Sequence, residues 1–300
     1  MTAPLSDGAI ARLREAIEAP DLSETRYELL RRVGRGGMGS VHLARDKALE
    51  RDVALKVLDL DDAEGRLAAR LADEARILAR LEHPGIVPVH DVGRLPDGRV
   101  FYAMRYVEGR PLHREVERLR EMPARLRLFA RICEAVAFAH DRGVLHRDLK
   151  PENVMVGPFG EVLVMDWGVA HVVGASAGAE IVGTPGFMSP EQAAGSDTID
   201  ARSDVWSLGK MLHFLLPVDA PKALRSVVGK ATASEPGGRY AGALDLAAEV
   251  NRYLDGLRVE AHPENWADRA LRLYGRHKVA FWLVATYLVV RGSMLVLLGK

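Results

Sequence analysis

Residues 146–153 read HRDLKPEN, and this octapeptide decides how the rest of the chain is interpreted. Asp148 supplies a proton acceptor, Lys150 a cation suited to phosphate, and Asn153 a neutral metal ligand, all within one loop. A helical pattern precedes the octapeptide and the strand-like VMV follows it. A surface loop without a catalytic or binding role would have no reason to combine these three groups. We therefore predict that this loop belongs to an active site.

A second motif, DWG, follows the strand-like VLVM and contains Asp166, Trp167 and Gly168. An aspartate at a strand end beside a glycine turn is suited to Mg²⁺, because this ion prefers carboxylate and phosphate oxygens in octahedral geometry. Asn153 and Asp166 are therefore the predicted metal ligands.

A third motif is GRGGMGSV at residues 34–41, in which the glycines are spaced G-x-G-x-x-G. Strand-like residues lie on both sides, so the glycines are predicted at a hairpin tip, where backbone N–H groups can lie over phosphates. A dinucleotide-binding fold would instead need a helix directly after the glycines. Taken alone, this motif leaves an ordinary glycine-rich turn equally open.

The pair Lys56 and Glu74 is the fourth signal. Period-two alternation in DVALKVLDL places Lys56 on the strand face of Ala54 and Leu58. A lone lysine there is usually an edge-strand charge. However, Glu74 falls in the middle of a helical apolar stripe, where an unpaired carboxylate would cost several kcal/mol. The stripe consists of Leu67, Leu71, Glu74, Leu78 and Leu81. Lys56 is the natural partner of Glu74.

Composition narrows the class of protein. Lys plus Arg equals Asp plus Glu at 41 each, so no global field attracts nucleic acid, and no nucleic-acid partner is expected. A single cysteine, Cys133, excludes an internal disulfide and fits a reducing compartment. It falls in a helix-like run, where a buried small hydrophobe needs no further role.

The order of secondary-structure patterns predicts an α+β fold in two parts. Four short apolar runs between about 27 and 107 predict the strands of a small antiparallel sheet, with one long helix over 64–81. The runs are YELLRRV, SVHLA, DVALKVLDL and RVFYAMRYV. Longer helical patterns follow, interrupted by a loop-rich segment at 143–195. These patterns cover 123–142, 200–216, 220–233 and 241–255. Residues 1–25 form an extension with an amphipathic helical pattern and no assigned purpose.

Together, and in this order, these motifs resemble the protein kinase fold, specifically the bacterial serine/threonine kinases of eukaryotic type. The resemblance covers about residues 27–255 and implies a bilobal architecture with a β-sheet N-lobe and a helical C-lobe. The domain boundaries that we assign are 1–25 for the extension, 26–107 for the N-lobe, 108–260 for the C-lobe, 261–278 for a basic juxtamembrane segment and 279–298 for a transmembrane helix.

The resemblance also implies roles for individual residues. Asp148 would be the catalytic base, Lys150 the γ-phosphate lysine and Lys56 the α/β-phosphate lysine, held by Glu74. Backbone groups of Arg105 and Val107 would bind the adenine. The remaining nucleotide-binding residues implied are Gly34, Arg35, Gly36, Gly37, Met38, Gly39, Val41, Ala54, Met104 and Met155.

Three contacts outside the nucleotide site follow from the same resemblance. In GTPGFMSPE, Thr184 would face Asp148 and Lys150. Glu191 would pair with Arg239, and Asp204 would brace the catalytic loop. Arg147 is placed in the family to bind a phosphate on the activation segment, where Ser176 is the only hydroxyl between Trp167 and Gly183.

Two departures from the family pattern affect particular inferences. Trp167 replaces the usual phenylalanine as a larger apolar plug, so we expect altered switching between active and inactive states. After residue 216 the C-lobe lacks the loop and extra helix that the family normally inserts. Since that helix often docks substrates, substrate recognition cannot be carried over from relatives.

The activity that the resemblance implies is transfer of the ATP γ-phosphoryl group to Ser or Thr hydroxyls of proteins, with ATP and Mg²⁺ as cofactors and with autophosphorylation. A homodimer stays open as a further partner, because no pattern in the sequence decides whether the chain dimerises. Lys150 and GTPGFMSPE favour serine/threonine over tyrosine. Two alternatives remain at this point. One is a nucleotide-binding pseudokinase or scaffold without turnover, and the other is a small-molecule phosphotransferase of related fold.

The C-terminal segment 279–298 is apolar apart from Arg291 and small polar positions. Its twenty residues match the length needed to cross a membrane, and the basic residues before it predict a cytoplasmic kinase domain on a single-pass cell-membrane anchor. Arg291 opposes this interpretation, because a central arginine costs about 2.5 to 3.5 kcal/mol on insertion. The alternative is a hydrophobic helix that packs on the C-lobe, lies in the membrane surface or forms an oligomer interface.

Overall fold

The computed structural model describes residues 19–36, 39–58, 66–167, 171–172, 183–196 and 198–298. Its N-terminal part is a five-stranded antiparallel sheet with strand order β1-β2-β3-β5-β4. The strands are β1 Tyr27–Gly36, β2 Gly39–Asp46, β3 Arg51–Leu58, β4 Val89–Arg94 and β5 Val100–Arg105. The sequence patterns predicted four of these strands and missed β4, whose residues are half-exposed and do not alternate.

One helix, α1 (Arg66–Arg80), packs on this sheet. Its buried side chains Leu71, Ala75 and Leu78 join Ala54 and Leu58 of β3 in the main hydrophobic core. Glu74 is buried in the same stripe, at 2% exposure. The predicted helix is therefore confirmed, and so is the face that it presents to the sheet.

The C-terminal part is helical. Its described helices are α2 Leu112–Glu115, α3 Met122–Asp141, α4 Pro190–Ala193, α5 Ala201–Leu215, α6 Lys222–Ala231, α7 Ala243–Leu254 and α8 Trp266–Leu298. The buried face of α3 includes Phe129, Ile132 and Cys133. The four long helical patterns in the sequence agree with α3, α5, α6 and α7 to within about two residues.

Short strands in the C-terminal part carry the loops that the sequence singled out. β8 (Val154–Val156) lies between β6 (Arg110–Pro111) and β9 (Val162–Val164), and β7 (Val144–Leu145) pairs with β10 (His171–Val172). The octapeptide 146–153 connects β7 to β8, and Asp166 follows β9. Both motifs thus emerge from one end of this small sheet region.

The connection between α5 and α6 is short, as predicted, since α5 ends at Leu215 and α6 begins at Lys222. No helix is inserted between them. The usual docking helix of the family is thus absent from this part of the chain.

The helix α8 covers the predicted transmembrane segment, but the prediction of a membrane-spanning helix is not supported. Within the described ranges, no helix has both the length and the apolar character that a membrane crossing requires.

Candidate active site

The glycine-rich motif forms the hairpin between β1 and β2, where Gly34 pairs with Val41 and Gly36 with Gly39. Gly39 has a φ of 152°, and a Cβ there would lie 2.1 Å from the Val57 carbonyl oxygen, so only glycine fits. A Cβ at Gly34, by contrast, would meet no atom within 4 Å. Arg35 lies on the exposed strand opposite Ser40. Gly37 and Met38 lie outside the described residues.

Lys56 lies at the centre of an ion-pair cluster between the two lobes. Its Nζ donates to both carboxylate oxygens of Glu74 at 2.9 Å and to Oδ1 of Asp166 at 2.9 Å. The Lys56 side chain is 12% exposed and that of Glu74 is 1% exposed. The predicted Lys56–Glu74 pair is therefore present, and Asp166 shares the same ammonium group.

Burial and ion pairing together shift the pKa values of Lys56, Glu74 and Asp166. Burial alone would lower the pKa of Lys56, but the carboxylates of Glu74 and Asp166 raise it above the ordinary lysine value. Burial raises the pKa of Glu74, although Lys56 opposes this effect. Burial also favours neutral Asp166, yet Lys56 holds the pKa of Asp166 below its usual range. Lys56 and Asp166 are thus charged at neutral pH, as phosphate and metal binding require.

Tyr102 is a member of this cluster that the sequence did not single out. Its hydroxyl donates to Glu74 Oε1 at 2.9 Å, and it is 1% exposed. Tyr102 is the cross-strand partner of Lys56 in the β3–β5 pair. The alternation of VFYAMR could have placed Tyr102 on this face, but the pairing of β3 with β5 was needed to put it beside Glu74.

Asp204 of α5 holds the backbone of the catalytic loop, residues 146–153, through hydrogen bonds. Its carboxylate accepts the backbone N–H of His146 at 2.8 Å and of Arg147 at 2.9 Å, together with His140 Nε2 at 2.7 Å. Although Asp204 is fully buried, these donors, led by His140, hold the pKa of Asp204 below its usual range. The predicted bracing by Asp204 is confirmed, while His140 was missed.

The loop that Asp204 holds is strained. Arg147 has a φ of 67°, in the left-handed region that non-glycine residues seldom adopt. Asp166 has a φ of 57° in the neighbouring motif. Such residues cost about 1–3 kcal/mol each and cluster at functional sites, where the surroundings hold them in place.

Asp148, Lys150 and Thr184 form a closed hydrogen-bonded triangle. Thr184 Oγ1 donates to Asp148 Oδ1 at 2.6 Å, and Lys150 Nζ donates to Asp148 Oδ2 at 2.8 Å and to Thr184 Oγ1 at 2.6 Å. Asn153 Nδ2 adds hydrogen bonds to the Asp148 carbonyl at 2.8 Å and to its Oδ2 at 3.2 Å. Thr184 therefore faces the two residues that the sequence predicted.

The predicted metal ligands present suitable oxygens. Since the Asn153 amide nitrogen is turned toward Asp148, its Oδ1 remains for another partner. Asp166 uses Oδ1 for Lys56, which leaves Oδ2. Among the described residues no cluster of three His, Cys, Asp or Glu side chains could hold a metal by itself. A carboxylate and an amide oxygen still fit Mg²⁺ in a site that takes its further ligands from nucleotide phosphates and water.

The predicted adenine slot is apolar and continuous with the core. Ala54 is buried and pairs with Met104 across β3 and β5, and the half-buried Val41 and Met155 pack against the same cluster. At the end of β5, the Arg105 N–H donates to the Pro88 carbonyl at 3.1 Å.

The end of the activation segment is held by a buried ion pair. Arg239 donates through Nη1 and Nη2 to Glu191 at 2.6 and 2.8 Å, and Ser203 donates to the same carboxylate. Although burial opposes ionisation, the Arg239 bonds lower the pKa of Glu191 to about 2. The predicted pair is confirmed. Gln192 further ties this segment to the catalytic loop, since its Nε2 donates to the Arg147 carbonyl at 2.8 Å.

This fold and this arrangement of side chains define a protein kinase domain. The sequence family described as the protein kinase domain matches residues 27–228. The chain belongs to that family, and within it to the bacterial serine/threonine kinases of eukaryotic type.

Individual relatives agree with this assignment. The serine/threonine-protein kinase PknD of Chlamydia muridarum is 39% identical over 237 residues, covering 65% of this chain and 25% of that protein. PknB of Mycobacterium leprae is 37% identical over 281 residues, covering 81% of this chain and 45% of that protein. The chain therefore spans less than half the length of these curated relatives.

A solved structure is similar as well. The crystal structure of the Mycobacterium tuberculosis PknI kinase domain matches with a TM-score of 0.59 and 29% sequence identity, covering 76% of this chain and 96% of that one. This likeness agrees with the bilobal fold described above.

Proposed function

We propose that the chain transfers the γ-phosphoryl group of ATP to serine or threonine hydroxyls of proteins. The observation that carries this proposal is the hydroxyl of Thr184, which donates to Asp148 at 2.6 Å and accepts from Lys150 at 2.6 Å. Asp148 is thus arranged to take a proton from a hydroxyl group while Lys150 lies at its oxygen. A substrate hydroxyl would need the same two contacts.

Each side chain then has a defined role. Asp148 orients the attacking hydroxyl and accepts its proton, and Lys150 stabilises charge that develops on the transferred group. Lys56 binds the α- and β-phosphates, while Glu74, itself held by Tyr102, fixes the position of the ammonium group. Because these groups are in place before substrate binds, little reorganisation is needed in the transition state.

Asn153 and Asp166 would hold Mg²⁺, which supplies charge neutralisation at the phosphates when bound. The nucleotide base would lie between Val41, Ala54, Met104 and Met155, with backbone groups of Arg105 and Val107 as its polar contacts. The glycine-rich hairpin would cover the phosphates, because the open space at Gly34 leaves its backbone accessible.

The alternative of a pseudokinase predicts a defect in this machinery. The described residues instead contain an intact Lys56–Glu74 pair and a complete Asp148–Lys150–Asn153 loop. A small-molecule phosphotransferase is disfavoured by the GTPGFMSPE segment, whose Thr184 and Glu191 are both engaged as in protein kinases.

The test is incubation of the full chain with γ-labelled ATP and Mg²⁺, followed by mapping of the labelled residues. We expect label on serine and threonine of the chain itself or of a generic protein substrate, and none with Asp148→Asn. Tight ATP binding without any transfer, at all protein and metal concentrations, would assign the chain to the nucleotide-binding scaffolds instead.

We also propose that α8 attaches the kinase domain to the cytoplasmic surface of the cell membrane. Its apolar side chains are largely exposed, with Val279, Leu283 and Val289 at 67–68%. A basic segment precedes them, which favours an anionic lipid surface. That segment contains Arg269, Arg272, Arg276, His277 and Lys278.

Sedimentation with anionic lipid vesicles tests this attachment. The full chain should sediment with the vesicles, and a chain that ends at Lys278 should remain in the supernatant while still phosphorylating substrate. If the full chain stays in the supernatant as a dimer, α8 is an oligomer interface and the proposed attachment is wrong.

A further inference from the structure

The carboxylate of Glu74 is held from two neighbouring strands. Lys56 on β3 donates to both of its oxygens at 2.9 Å, and the hydroxyl of Tyr102 on β5 donates to its Oε1 at 2.9 Å. Glu74 itself is 2% exposed on α1. A buried carboxylate is stable only while its donors stay in place, because the loss of a donor leaves charge without compensation. The position of Glu74 therefore depends on what else its two donors bind.

Lys56 is not committed to Glu74 alone. Its ammonium group has three N–H donors, and it binds Asp166 Oδ1 at 2.9 Å in addition to Glu74. In the function proposed above, the α- and β-phosphates of the nucleotide become further acceptors for the same ammonium group. Three donors cannot serve all of these oxygens at full strength. We therefore expect a bound nucleotide to weaken the hydrogen bonds from Lys56 to Glu74.

Tyr102, by contrast, is fixed by the core and by the sheet. It is 1% exposed and belongs to the main hydrophobic core together with Leu71 of α1. Its strand neighbours Phe101 and Ala103 belong to a separate cluster of buried residues, as the alternation of side chains along a β-strand requires. The side chain of Tyr102 therefore lies on the α1 side of the sheet, where its hydroxyl meets Glu74.

Tyr102 also contacts the lysine. It is the cross-strand partner of Lys56, whose Nζ lies 5.8 Å from the centroid of the aromatic ring. A cation at that distance over a ring is attracted by the π-electrons. Burial raises the pKa of Tyr102 well above its ordinary value, so the hydroxyl stays protonated and remains a donor. One side chain thus supplies a neutral donor to Glu74 and a contact surface for Lys56.

We propose that Tyr102 is a positioning residue for phosphoryl transfer, because its hydroxyl holds Glu74 in place while the nucleotide phosphates draw on the ammonium group of Lys56. This role rests on the proposed function, since it requires phosphates at Lys56. Tyr102 acts on the nucleotide only through Glu74 and Lys56. The hydrogen bond from Tyr102 to Glu74 is accordingly worth more in the nucleotide-bound chain than in the free chain.

The test compares Tyr102→Phe, which removes only the hydroxyl, with Tyr253→Phe at a half-buried position on α7. Titration calorimetry of the full chain measures the affinity for Mg²⁺-ADP, which presents the α- and β-phosphates and needs no phosphoryl transfer. Affinity should fall about three- to tenfold in Tyr102→Phe and stay at the parent value in Tyr253→Phe.

This affinity separates positioning from a structural role. A hydroxyl that only stabilised the fold would stabilise the free and the bound chain equally, and the affinity would not change. Unchanged affinity in Tyr102→Phe would therefore overturn the proposal. If the parent chain binds Mg²⁺-ADP but transfers no phosphate, the proposed activity fails while the binding results still decide the role of Tyr102.

A second background tests whether the hydroxyl acts through Glu74. Leucine accepts no hydrogen bond, so Glu74→Leu removes the acceptor and leaves an apolar side chain in the core. In that background Tyr102→Phe should have no further effect on affinity, whereas independent effects would multiply. An equal loss in both backgrounds would show that the hydroxyl acts by another route, and the proposal would be wrong.

Amide hydrogen exchange gives an independent measurement. At saturating Mg²⁺-ADP, α1 should exchange about threefold or more faster in Tyr102→Phe than in the parent chain, with α7 unchanged. Without nucleotide the difference in α1 should be smaller, because Lys56 then holds Glu74 more firmly. A difference of the same size with and without Mg²⁺-ADP would contradict the proposal.

Discussion

The indole ring of Trp167 packs against the imidazole of His146, with 4.5 Å between ring centroids. Trp167 is fully buried, and its Nε1–H donates to the Val164 carbonyl at 3.3 Å. His146 in turn is bound through Nε2 to the Met165 carbonyl at 3.0 Å. One buried contact thus joins the catalytic loop to the strand end that presents Asp166.

Trp167→Phe tests this connection. The smaller ring leaves a void and removes the hydrogen bond to Val164, so we expect a loss of about 1–3 kcal/mol in unfolding free energy. Mg²⁺-dependent ATP affinity should fall several-fold, because Asp166 is then held less firmly. Urea denaturation and titration calorimetry measure the two effects. Trp282→Phe, at a site 61% exposed, is the control. An unchanged affinity would separate Trp167 from metal binding.

Asp148→Asn keeps the shape of the proposed base and removes its ability to accept a proton. Turnover should fall about a hundredfold to ten-thousandfold, with ATP affinity nearly unchanged. Steady-state phosphorylation and nucleotide titration give the two quantities. Asp141→Asn, whose native side chain is 82% exposed, should leave both at the parent values. Undiminished turnover in Asp148→Asn would refute the assignment of the base.

Asp166→Asn should instead act on metal-dependent binding. The change removes the charge that Lys56 and the proposed Mg²⁺ share, so ATP affinity in Mg²⁺ should fall more than about tenfold. Affinity in a chelator should change much less. The comparison of the two titrations is the measurement, with Asp73→Asn on the exposed side of α1 as control. If the metal dependence is unaltered, Asp166 is not a ligand.

Because of the Glu191–Arg239 pair, we expect the free energy of unfolding to depend on pH. The pKa of Glu191 is lowered to about 2 in the folded chain, against an ordinary value of 4.5. The pair therefore contributes fully above about pH 4.5, and its contribution is lost as pH falls toward 2. Denaturation curves at pH 6, 4 and 3 should converge for the parent chain and Glu191→Gln.

The largest stability difference between these two chains is expected at pH 6. Glu28→Gln, at an exposed strand position, should show no such convergence. A difference that grows on acidification would contradict the lowered pKa of Glu191.

From the surroundings of Arg147 we expect that phosphorylation of the activation segment regulates the activity of the chain. Its Nε is buried and has no hydrogen-bond partner among the described residues, and burial lowers the pKa of its guanidinium despite nearby Asp204. A phosphate on the activation segment would supply the missing acceptor. Ser176, outside the described residues, is the first candidate and Thr184 the second.

Ser176→Ala should lower activity several-fold if this switch operates, and phosphate mapping of the parent chain should find Ser176 modified. Ser226→Ala, on α6, is the matched control. Full activity in Ser176→Ala would show that the switch is not used.

Much of the active site was predictable because it depends on local pattern. The octapeptide 146–153 and the motif at Asp166 carry their chemistry at fixed spacing, and the helical period placed Glu74 in an apolar stripe that demanded a cation. Lys56 on the neighbouring strand was the natural partner. Local turn chemistry likewise predicted the hairpin at Gly39.

Other members of the site come from distant parts of the chain. Tyr102 is 28 residues from Glu74, and His140 is 64 residues from Asp204. The spacing of apolar residues along a helix or strand predicts which face a side chain lies on, but it does not predict which other element packs against that face. β4 was missed for a related reason, since half-exposed edge residues give no alternating signal.

The sequence by itself determined the fold class, the order of the motifs and the charge pairs at the centre of the site, because these follow from residue type and spacing. Only the tertiary structure decided that Tyr102 and His140 join the site, that Arg147 and Asp166 adopt positive φ, and that both faces of the sheet are buried. The reason is that burial and backbone strain are set by long-range packing, which no single segment of sequence encodes.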